Sequence, residues 1–562
     1  MFGYVDGFLL GGSMKNRLLS LFVCVFCAVA LTAHADAAEN MLKVGLYYGS
    51  NALDAANLEN EVGSGYLLGW FDEMSRDFVS VGETYEETIT VTVNCGYHVQ
   101  IREEFASFAE ARFVADQFRT GFVCYINNAY RVRVNTFYSL QEAEMAAATY
   151  TTYVWYDVFG VEHAFVGDAT SPTSTGVTVI VTGTDTILFE FDCSGAKALG
   201  IQPVGSDQTL TWFKGYKWYG GFEYRRSTGG NINVINVVPV DDYVKGVLPY
   251  EMSPSWPLEA LKAQAVCART YALMQTKHYN SYKFDVCNTT DCQVYYGANK
   301  ANAATDQAAE ETRGVVLTCN GELASAYYYA SNGGASESSE NVWMTAVPHL
   351  VGKEDPYEAM ISIPGYTYSE TYTFEQLTQL LQSKNYEIGN VNGAYVSRTT
   401  PTGNVAEITF TDTQGRSVKI TGERCRTVFS TSMFGKSQSI KSMRFTIVGG
   451  EMTSNYYIND AATGVSTVSG LYTISGGGTV DSYSGDDTYV ITSTGVEKLE
   501  EKGEVETGSG ITITGAGSGH NVGMSQYGAR AMAELGYGYE EILNFYYTGI
   551  SLERVGTSFE NA

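Results

Sequence analysis

The segment VLPYEMSPSWPLEALKAQAVCARTYALMQ, residues 247–275, combines a strong helix signal with an acidic residue placed just before it. From Pro257 to about residue 278 the sequence is rich in Ala, Leu and Gln, which favour helices. Pro257 fits the first helical position, where its missing N–H costs nothing. The preceding VDDYVKGVLPYEM has many apolar residues and is predicted to be a strand. We therefore predict a strand, a turn and a helix that begins just after Trp256.

Glu251 lies in that turn among aromatic and apolar neighbours, with few cations adjacent in sequence. Burial disfavours the ionised form of a carboxyl and raises its pKa, which suits a general acid near neutral pH. The alternative is that Glu251 caps the helix or is solvated. The local sequence leaves both interpretations open.

The composition limits the classes of protein that the chain can belong to. Its 562 residues are enough for two or three domains with a sizeable core. The 35 basic and 62 acidic residues give a net charge of −27, which opposes nucleic acid as a partner. The 41 tyrosines, 59 glycines and only 10 prolines indicate a strand-rich globular protein. Tyrosine suits sugar rings as well as protein cores.

The N-terminus, residues 1–35, is predicted to be a signal peptide or an N-terminal anchor. Lys15 and Arg17 precede the apolar run LLSLFVCVFCAVALTA, and Ala33-His34-Ala35 has the small-x-small pattern of a cleavage site. Residues 1–13 fit no part of this pattern, so we expect translation to start at Met14. The protein is therefore expected to be extracytoplasmic, either secreted or anchored at the cell wall. Eight cysteines lie outside the signal, and their pairing is not fixed by sequence.

Residues 93–155 have the predicted order βαββαβ. YHVQI and YRVRV alternate apolar and polar side chains, while Ser107-x-x-Glu110 and Ser139-x-x-Glu142 are capping boxes that begin two helices. TTYVWYDVF is predicted to be the last strand. This segment resembles the sporulation-related repeat (SPOR), a small domain with a four-stranded sheet. The resemblance implies binding of peptidoglycan glycan strands stripped of their stem peptides. An unrelated αβ insertion is the alternative.

From residue 208 to 555 the chain is predicted to be a longer, strand-rich body of the α+β class around the helix at 257–278. Residues 41–82, which begin MLKVGLYYGSNA, look like its detached first part, so the SPOR-like segment is an insertion. Residues 449–509, rich in Gly, Ser, Thr and Asp, are predicted to be a surface loop or small embellishment.

A second informative stretch is GSGHNVGMSQYGARAMAELGYGYEEILNFYYTGI, residues 517–550. Glycines around His520 let the backbone approach a ligand closely. The imidazole could then orient a substrate or transfer a proton. A lone histidine is also common in purely structural positions.

Four segments in order closely resemble the stage II sporulation protein D/LytB family. They are the segment around Glu251, CQVYYG at 292–297, TRGVVLTCNGELASAYYYASNGGASESSENVW at 312–343, and the glycine-rich stretch at 517–550. The resemblance runs over about 210–550. It implies a lytic transglycosylase that cuts glycan strands lacking stem peptides during sporulation and engulfment, leaving anhydro-muramic ends.

The resemblance identifies Glu251 as the catalytic residue. One carboxylate is sufficient, acting first as general acid and then as base toward the muramic C6 hydroxyl, and no cofactor is required. The resemblance also implies a group of sugar contacts or cleft supports. They are Gln264, Arg269, Ser331, Gly333, Gly334, His520, Ser525, Gln526 and Tyr527, with Ser336, Glu337 and Trp343 following in the same segment.

The loop HYNSYKFDVCNTTDCQVYYG lies where some family members hold zinc. His278, Cys287 and Cys292 offer soft ligands, with Asp285 or Asp291 as a further ligand. A Cys287–Cys292 disulfide is the alternative, and both remain open.

The sequence departs from the family pattern at three positions. Asn521 stands where a glycine is usual and Thr548 where a proline is usual. Asn tolerates left-handed backbone angles, so the first change is expected to be harmless. Cys267 replaces an alanine-like position and should be a small buried apolar residue.

Two other functions compete with the enzyme. LytB-type relatives are described as modifiers of a cell-wall amidase, so a non-catalytic, peptidoglycan-binding partner of an N-acetylmuramoyl-L-alanine amidase is the main alternative. A structural wall protein with a degenerate site is the other. An acidic residue at position 251 favours the enzyme.

Overall fold

The computed structural model describes residues 40–555, except for 94–95, 206–207, 228, 436–439, 450–471, 475–479, 483–488, 493–494 and 499–509. The predicted signal at 1–35 lies outside the described residues. The protein is a strand-rich α+β structure, which confirms the predicted fold class. Within the described part, no helix has the length and apolar composition needed to cross a membrane.

Two large sheets contain most strands of the N-terminal half. The seven-stranded sheet has the order β19 (Val286–Cys287), β1 (Met41–Tyr47), β18 (Ile232–Pro239), β17 (Gly221–Arg226), β14 (Leu199–Pro203), β3 (Tyr66–Phe71) and β4 (Phe78–Thr84). The ten-stranded sheet has the order β11 (Gly167–Thr170), β6 (Tyr97–Ile101), β8 (Ala129–Phe137), β7 (Gly121–Ile126), β13 (Ile187–Asp192), β12 (Val177–Val181), β5 (Thr88–Val93), β2 (Ala55–Val62), β15 (Leu210–Phe213) and β16 (Tyr216–Trp218).

The remaining strands form small sheets. They are β21 (Glu322–Leu323), β20 (Val315–Cys319) and β34 (Ser551–Arg554); β22 (Tyr328–Tyr329) and β33 (Met524–Ser525); β23 (Thr367–Thr373), β32 (Gly510–Ala516) and β27 (Phe445–Val448); β24 (Val391–Thr399), β25 (Val405–Asp412) and β26 (Ser417–Thr421); β9 (Val154–Tyr156) and β10 (Glu162–Ala164). Within 449–509 the described residues form two hairpins, β28 (Tyr472–Ile474) with β29 (Val480–Ser482) and β30 (Tyr489–Thr492) with β31 (Gly495–Lys498).

Eleven α-helices lie in the described part of the chain. They are α1 (Phe108–Ala115), α2 (Leu140–Tyr150), α3 (Val240–Glu251), α4 (Leu258–Met274), α5 (Tyr279–Tyr282), α6 (Ala303–Glu311), α7 (Ser339–Trp343), α8 (Phe374–Ser383), α9 (Arg424–Thr427), α10 (Gln526–Glu534) and α11 (Tyr539–Tyr546). Short 3-10 turns lie at Gly49–Asn51, Gly297–Lys300, Glu358–Met360 and Met433–Gly435.

The N-terminal segment belongs to the main body, as the sequence predicts for residues 41–82. Strand β1 pairs antiparallel with β18, from Met41 opposite Pro239 to Tyr47 opposite Val234. The sequence INVINVVP of β18 is buried at every residue except the last, so both faces of this interior strand are covered. It runs directly into α3, so the sheet positions the helix that ends at Glu251.

The SPOR-like segment has the predicted order up to its second helix. Ser107 and Ser139 accept hydrogen bonds from the backbone N–H groups of Glu110 and Glu142, as the capping boxes require. The strands lie in the order β11-β6-β8-β7.

The predicted final strand, TTYVWYDVF, forms only the three-residue β9, which pairs with β10 and does not join the sheet. The fourth strand is β11, so this unit extends beyond residue 155 to Thr170. Strand β7 also pairs in parallel with β13, and the sheet therefore continues into the rest of the chain.

The region predicted as one body at 208–555 contributes to two separate cores. The larger core contains the buried faces of α3 and α4 and the strands of both large sheets. A second core lies within residues 368–513 and is built from β23 to β27, β32, α8 and α9. The acidic residue singled out by the sequence lies beside the larger core.

Candidate active site

Glu251 is the last residue of α3, and the predicted strand before it is wrong. The segment VDDYVKGVLPYE is helical because Val240, Val244 and Val247 recur on one face and are buried. Asp241 and Asp242 lie in the first turn, where negative charge stabilises a helix, and this was the signal that the strand prediction overlooked. The helix gives Glu251 a rigid mount. Helix α4 begins at Leu258, with Pro257 as its N-cap.

The Glu251 carboxylate is half-buried and receives two side-chain hydrogen bonds. Gln526 Nε2 donates to Glu251 Oε2 at 3.3 Å, and the Tyr328 hydroxyl bonds to the same carboxylate. Burial raises the pKa of Glu251, and the two hydrogen bonds partly oppose that rise. The raised pKa agrees with the requirement for a general acid.

A chain of hydrogen bonds fixes the Tyr328 hydroxyl. Tyr243 donates to Gln293 Oε1 at 3.0 Å, and Gln293 Nε2 donates to the Tyr328 oxygen at 3.0 Å. Because that oxygen already accepts a hydrogen bond, its own proton is directed toward Glu251. Gln293 and Tyr328 belong to the segments CQVYYG and ASAYYYAS, but no local pattern singled out either residue.

Gln264, on α4, completes this polar cluster. It is fully buried, and its Oε1 accepts a hydrogen bond from Gln526 Nε2 at 3.4 Å. Its own Nε2 has no hydrogen-bond partner among the described residues. The structure thus brings Glu251, Gln264 and Gln526, which the resemblance singles out, into one cluster.

Glu358 is a buried acid that sequence reasoning missed. Its carboxylate accepts hydrogen bonds from Ser331 Oγ at 2.9 Å, from the backbone N–H groups of Asn332 and Gly333 at 2.7 and 3.0 Å, and from Ser525 Oγ. Burial raises the pKa of Glu358 in spite of these donors. One carboxylate thus holds both Ser331 and Ser525 in place.

Ser525 links Glu358 to the cluster around Glu251. It is the N-cap of α10, and its Oγ accepts a hydrogen bond from Gly528 N at 3.0 Å. The next residue, Gln526, is the donor to Glu251. Glu358 therefore fixes the start of the helix that carries Gln526.

The glycines of the SNGG segment allow a close backbone approach. Gly333 has a φ of 76°, and a Cβ there would lie 2.5 Å from the Ala516 carbonyl oxygen. Gly334 donates its N–H to Asn332 Oδ1 at 2.7 Å. Both glycines adopt positive φ angles, which allow the backbone to turn here.

Ser336 and Glu337 also have structural contacts. Ser336 exchanges hydrogen bonds with the backbone of Lys353. The buried Glu337 carboxylate accepts hydrogen bonds from Thr400 and Thr402, and so fastens this segment to the turn after β24.

His520 lies in a cage of aromatic rings. Its ring centroid is 5.1 Å from that of Trp343 and 5.4 Å from that of Tyr329. Burial lowers the pKa of His520 to about 4, so the ring is neutral near pH 7. Its Nδ1 accepts the N–H of Val522 at 3.1 Å. A positioning role therefore fits His520 better than proton transfer.

Tyr527 belongs to a second aromatic group next to Gln526. Its ring centroid is 4.9 Å from that of Trp256, and the Arg530 guanidinium lies over Trp256 at 5.4 Å. All three side chains are partly exposed. This group borders the Glu251 cluster on the α10 side.

Arg269 does not fit the prediction of a sugar contact. It is fully buried, pairs with Asp241 at 2.6 Å, and donates to the backbone carbonyls of Val315 and Ala309. No part of the guanidinium is left for a ligand. Arg269 instead ties α4 to the start of α3 and to β20.

The three departures from the family pattern have structural explanations. Asn521 has the expected left-handed conformation, with a φ of 67°, and its side chain donates to the Asn332 carbonyl at 2.8 Å. The N–H of Thr548, which a proline would lack, donates to the His349 carbonyl at 3.1 Å. Cys267 is fully buried, with its Sγ 3.3 Å from the Tyr547 hydroxyl.

The loop after α4 gathers the predicted metal ligands. His278, Cys287, Asp291 and Cys292 each offer a ligand atom, and these atoms lie within 4.8 Å of one another. Both cysteines are free thiols in the structure. Of the two aspartates considered, Asp291 is in the cluster, whereas Asp285 pairs with Arg76.

Comparison with known proteins gives one family match and several similar relatives. The model of the family described as SpoIID, stage II sporulation protein, matches residues 228–319, which include α3, α4 and the cysteine loop. An uncharacterized protein of Brachyspira hyodysenteriae is 32% identical over 332 residues, covering 58% of this chain and 71% of the relative.

Two relatives from Bacillus subtilis have functional names. The protein named amidase enhancer is 35% identical over 315 residues, which cover 55% of this chain but only 40% of the relative. The protein named stage II sporulation protein D is 25% identical over 331 residues, covering 56% of this chain and 74% of the relative.

Proposed function

The chain belongs to the stage II sporulation protein D family, and we propose that it is a peptidoglycan lytic transglycosylase that cleaves glycan strands lacking stem peptides. The observation that carries this proposal is the half-buried Glu251 carboxylate, whose pKa is raised by burial and which Gln526 and Tyr328 hold in place. A protonated carboxyl on a rigid helix end is what glycosidic bond cleavage needs.

In the first step Glu251 acts as general acid. Its proton passes to the glycosidic oxygen while the bond from that oxygen to the muramic anomeric carbon breaks. The oxygen leaves as the hydroxyl of the departing sugar. The anomeric carbon becomes electron-poor, and Glu251 is left ionised.

In the second step the C6 hydroxyl of the same muramic residue attacks the anomeric carbon. A new C–O bond closes the anhydro ring, and the hydroxyl proton returns to Glu251. The carboxyl ends in its starting state and no water is consumed. One acid is therefore sufficient, in contrast to the pair that most glycoside hydrolases use.

The same proposal assigns the unit at residues 97–170 to peptidoglycan tethering. The βαββαβ order and the strand order β11-β6-β8-β7 support a SPOR-like sheet. Tethering would raise the local concentration of glycan at Glu251 without new active-site contacts. We expect the Glu251→Gln chain to remain bound to denuded cell walls when a short soluble glycan occupies the cleft, and release would contradict tethering.

Membership of this family supports a cell-wall role in sporulation, and so an extracytoplasmic location. The second candidate function is enhancement of a cell-wall amidase. It rests on one observation, the 35% identity with the relative named amidase enhancer. A wild-type chain that speeds an N-acetylmuramoyl-L-alanine amidase but releases no glycan fragments would favour this function.

A structural zinc ion fits the cysteine loop. Two sulfurs, one imidazole nitrogen and one carboxylate oxygen are a donor set that zinc accepts in tetrahedral sites, and they converge here without rearrangement of the fold. His278, Cys287, Asp291 and Cys292 would hold it. The ion would brace the loop that continues into Gln293 and the Tyr328 hydrogen bond, and no step of the reaction uses it.

The deciding experiment is digestion of purified peptide-free glycan strands, with products identified by mass spectrometry. Wild type should release fragments with anhydro-muramic ends. Glu251→Gln, which keeps the shape and loses the proton, should lower the rate by about 10²- to 10⁴-fold. Binding of the strands without release of any product by wild type would contradict the enzyme.

A further inference from the structure

Four tyrosines from distant parts of the chain lie near one another, and one of them precedes Glu251 on α3. They are Tyr47 at the end of β1, Tyr216 at the start of β16, Tyr250 on α3 and Tyr296 before the turn at Gly297–Lys300. The rings of Tyr216 and Tyr296 stack at 4.8 Å, and Tyr250 meets Tyr296 edge-on at 5.4 Å. We call this set the tyrosine platform. Its member Tyr250 directly precedes the catalytic residue.

The platform packs against a buried residue and is partly exposed to solvent. Each of its four side chains is partly exposed, and the buried Trp218 packs edge-on against Tyr216. Partial burial and the neighbouring phenols of Tyr216 and Tyr296 raise the pKa of Tyr47. The rings are held by the fold, so little side-chain entropy would be lost on binding.

The four hydroxyls of the platform are unused by the described part of the protein. None of them has a hydrogen-bond partner there, and none is among the buried polar atoms. Other tyrosine hydroxyls of this chain, such as that of Tyr295 to Asn236 Oδ1 at 3.0 Å, are paired. Flat apolar faces with free hydroxyls at their edges suit a sugar chain.

Two lysines stand at the edges of the platform. Lys300 Nζ lies 4.1 Å from the centroid of Tyr250, and Lys214 Nζ lies 6.0 Å from that of Tyr47. Within the described ranges neither lysine has a carboxylate partner. In contrast, the neighbouring Lys217 pairs with Glu61 at 2.6 Å. In a protein of net charge −27, two unpaired cations at one surface favour an anionic ligand.

We propose that the tyrosine platform binds the glycan strand beside the scissile bond and that Lys300 and Lys214 recognise the free lactyl carboxylates of muramic residues. This inference rests on the proposed function and explains its substrate preference. Removal of a stem peptide leaves the lactyl group as a carboxylate, whereas an attached peptide converts it to a neutral amide. N-acetylglucosamine has no such group. The lysines therefore distinguish denuded strands from peptide-bearing strands by charge.

The experiment measures binding by the full chain carrying Glu251→Gln, so that no turnover intervenes. The probes are denuded strands, denuded strands whose lactyl carboxylates are amidated, and chito-oligosaccharides of equal length. In this background Lys300→Gln should weaken binding of denuded strands about two- to fivefold. The double variant Lys300→Gln/Lys214→Gln should weaken it roughly tenfold. Affinity for the other two probes should not change.

Two further variants separate charge from stacking. Tyr296→Ala should weaken binding of all three probes by about tenfold, because the central ring of the platform is lost. Lys384→Gln removes one exposed positive charge beside α8, in the second core region, and should change nothing.

The proposal would be overturned if the lysine variants bound denuded strands like the parent or lost affinity for all probes equally. No binding of any probe by the parent would also overturn it. The two proposals can also fail separately. If the lysine variants lose affinity only for strands with free carboxylates, but the chain with native Glu251 releases no product, the proposed enzymatic activity is contradicted and the proposed binding surface is supported.

Discussion

Gln526 Nε2 lies 3.3 Å from Glu251 Oε2 and so joins the first residue of α10 to the last residue of α3, across 275 positions of sequence. This donor opposes the effect of burial on the pKa of Glu251. The position of α10 therefore helps to set the acidity of the Glu251 carboxyl.

Replacing Gln526 should move the pH dependence of the reaction. Gln526→Met keeps the approximate shape but removes the donor that stabilises the ionised carboxylate, so the pKa of Glu251 should rise further. The alkaline limb of the pH–rate profile should shift upward, and the rate should fall about tenfold or more. Gln307→Met, on the exposed side of α6, is the matched control. An unmoved limb would show that Gln526 does not tune the acid.

Glu251→Gln should stabilise the folded protein at neutral pH. Because burial raises the pKa of Glu251, the folded state holds this proton over a pH window in which the unfolded chain has lost it, and stability falls as pH rises through that window. The variant has no such loss. Urea unfolding at about pH 5 and about pH 8 should show a gain that is larger at the higher pH. The exposed Glu375→Gln serves as control, and an equal gain at both pH values would be inconsistent with this explanation.

Glu358→Gln should destabilise the cleft and slow the reaction. The amide offers one acceptor oxygen to a site that contains four donors, so at least one buried N–H or O–H of the Ser331–Gly333 turn loses its partner. The free energy of unfolding should fall by about 1–3 kcal/mol. The neighbouring, exposed Glu354→Gln should be close to neutral. Denaturant unfolding together with rates on denuded strands would check this, and a fully stable variant would refute the anchoring role.

Arg269→Met should lower stability without a specific effect on glycan binding. The substitution leaves Asp241 as an uncompensated buried charge, which costs about 3–5 kcal/mol. Adding Asp241→Leu removes that charge and should restore part of the loss. A selective loss of glycan affinity in a fully folded Arg269→Met protein would instead support the sugar-contact prediction.

Removal of metal should loosen the cysteine loop. Purified protein should contain about one zinc per chain, and a chelator should lower its melting temperature. Cys292→Ser should abolish zinc binding, while Cys319→Ser, outside the cluster, should retain it. Stoichiometric zinc in Cys292→Ser, or none in wild type prepared under reducing conditions, would exclude the proposed ligand set.

Parts of the fold and of the site could be predicted from local sequence. The helix at α4, the two capping boxes and the left-handed Asn521 follow from backbone chemistry that depends on a few neighbouring residues. The strand predicted before Glu251 failed because β-branched residues occur in both buried strands and buried helices. There the packing of α3 against α4 outweighed intrinsic preference.

The sequence by itself determined the family and the fold class, and it singled out Glu251 and several of its neighbours. Only the tertiary structure decided which of those neighbours reach it. Glu358 is separated from Ser525 by more than 160 positions, and Arg269, although close to Glu251 in sequence, points into the core. The four platform tyrosines also meet only through sheet pairing and the packing of α3. Spacing along the chain specifies local turns, whereas burial, hydrogen bonding and charge pairing depend on contacts that form only when distant segments pack together.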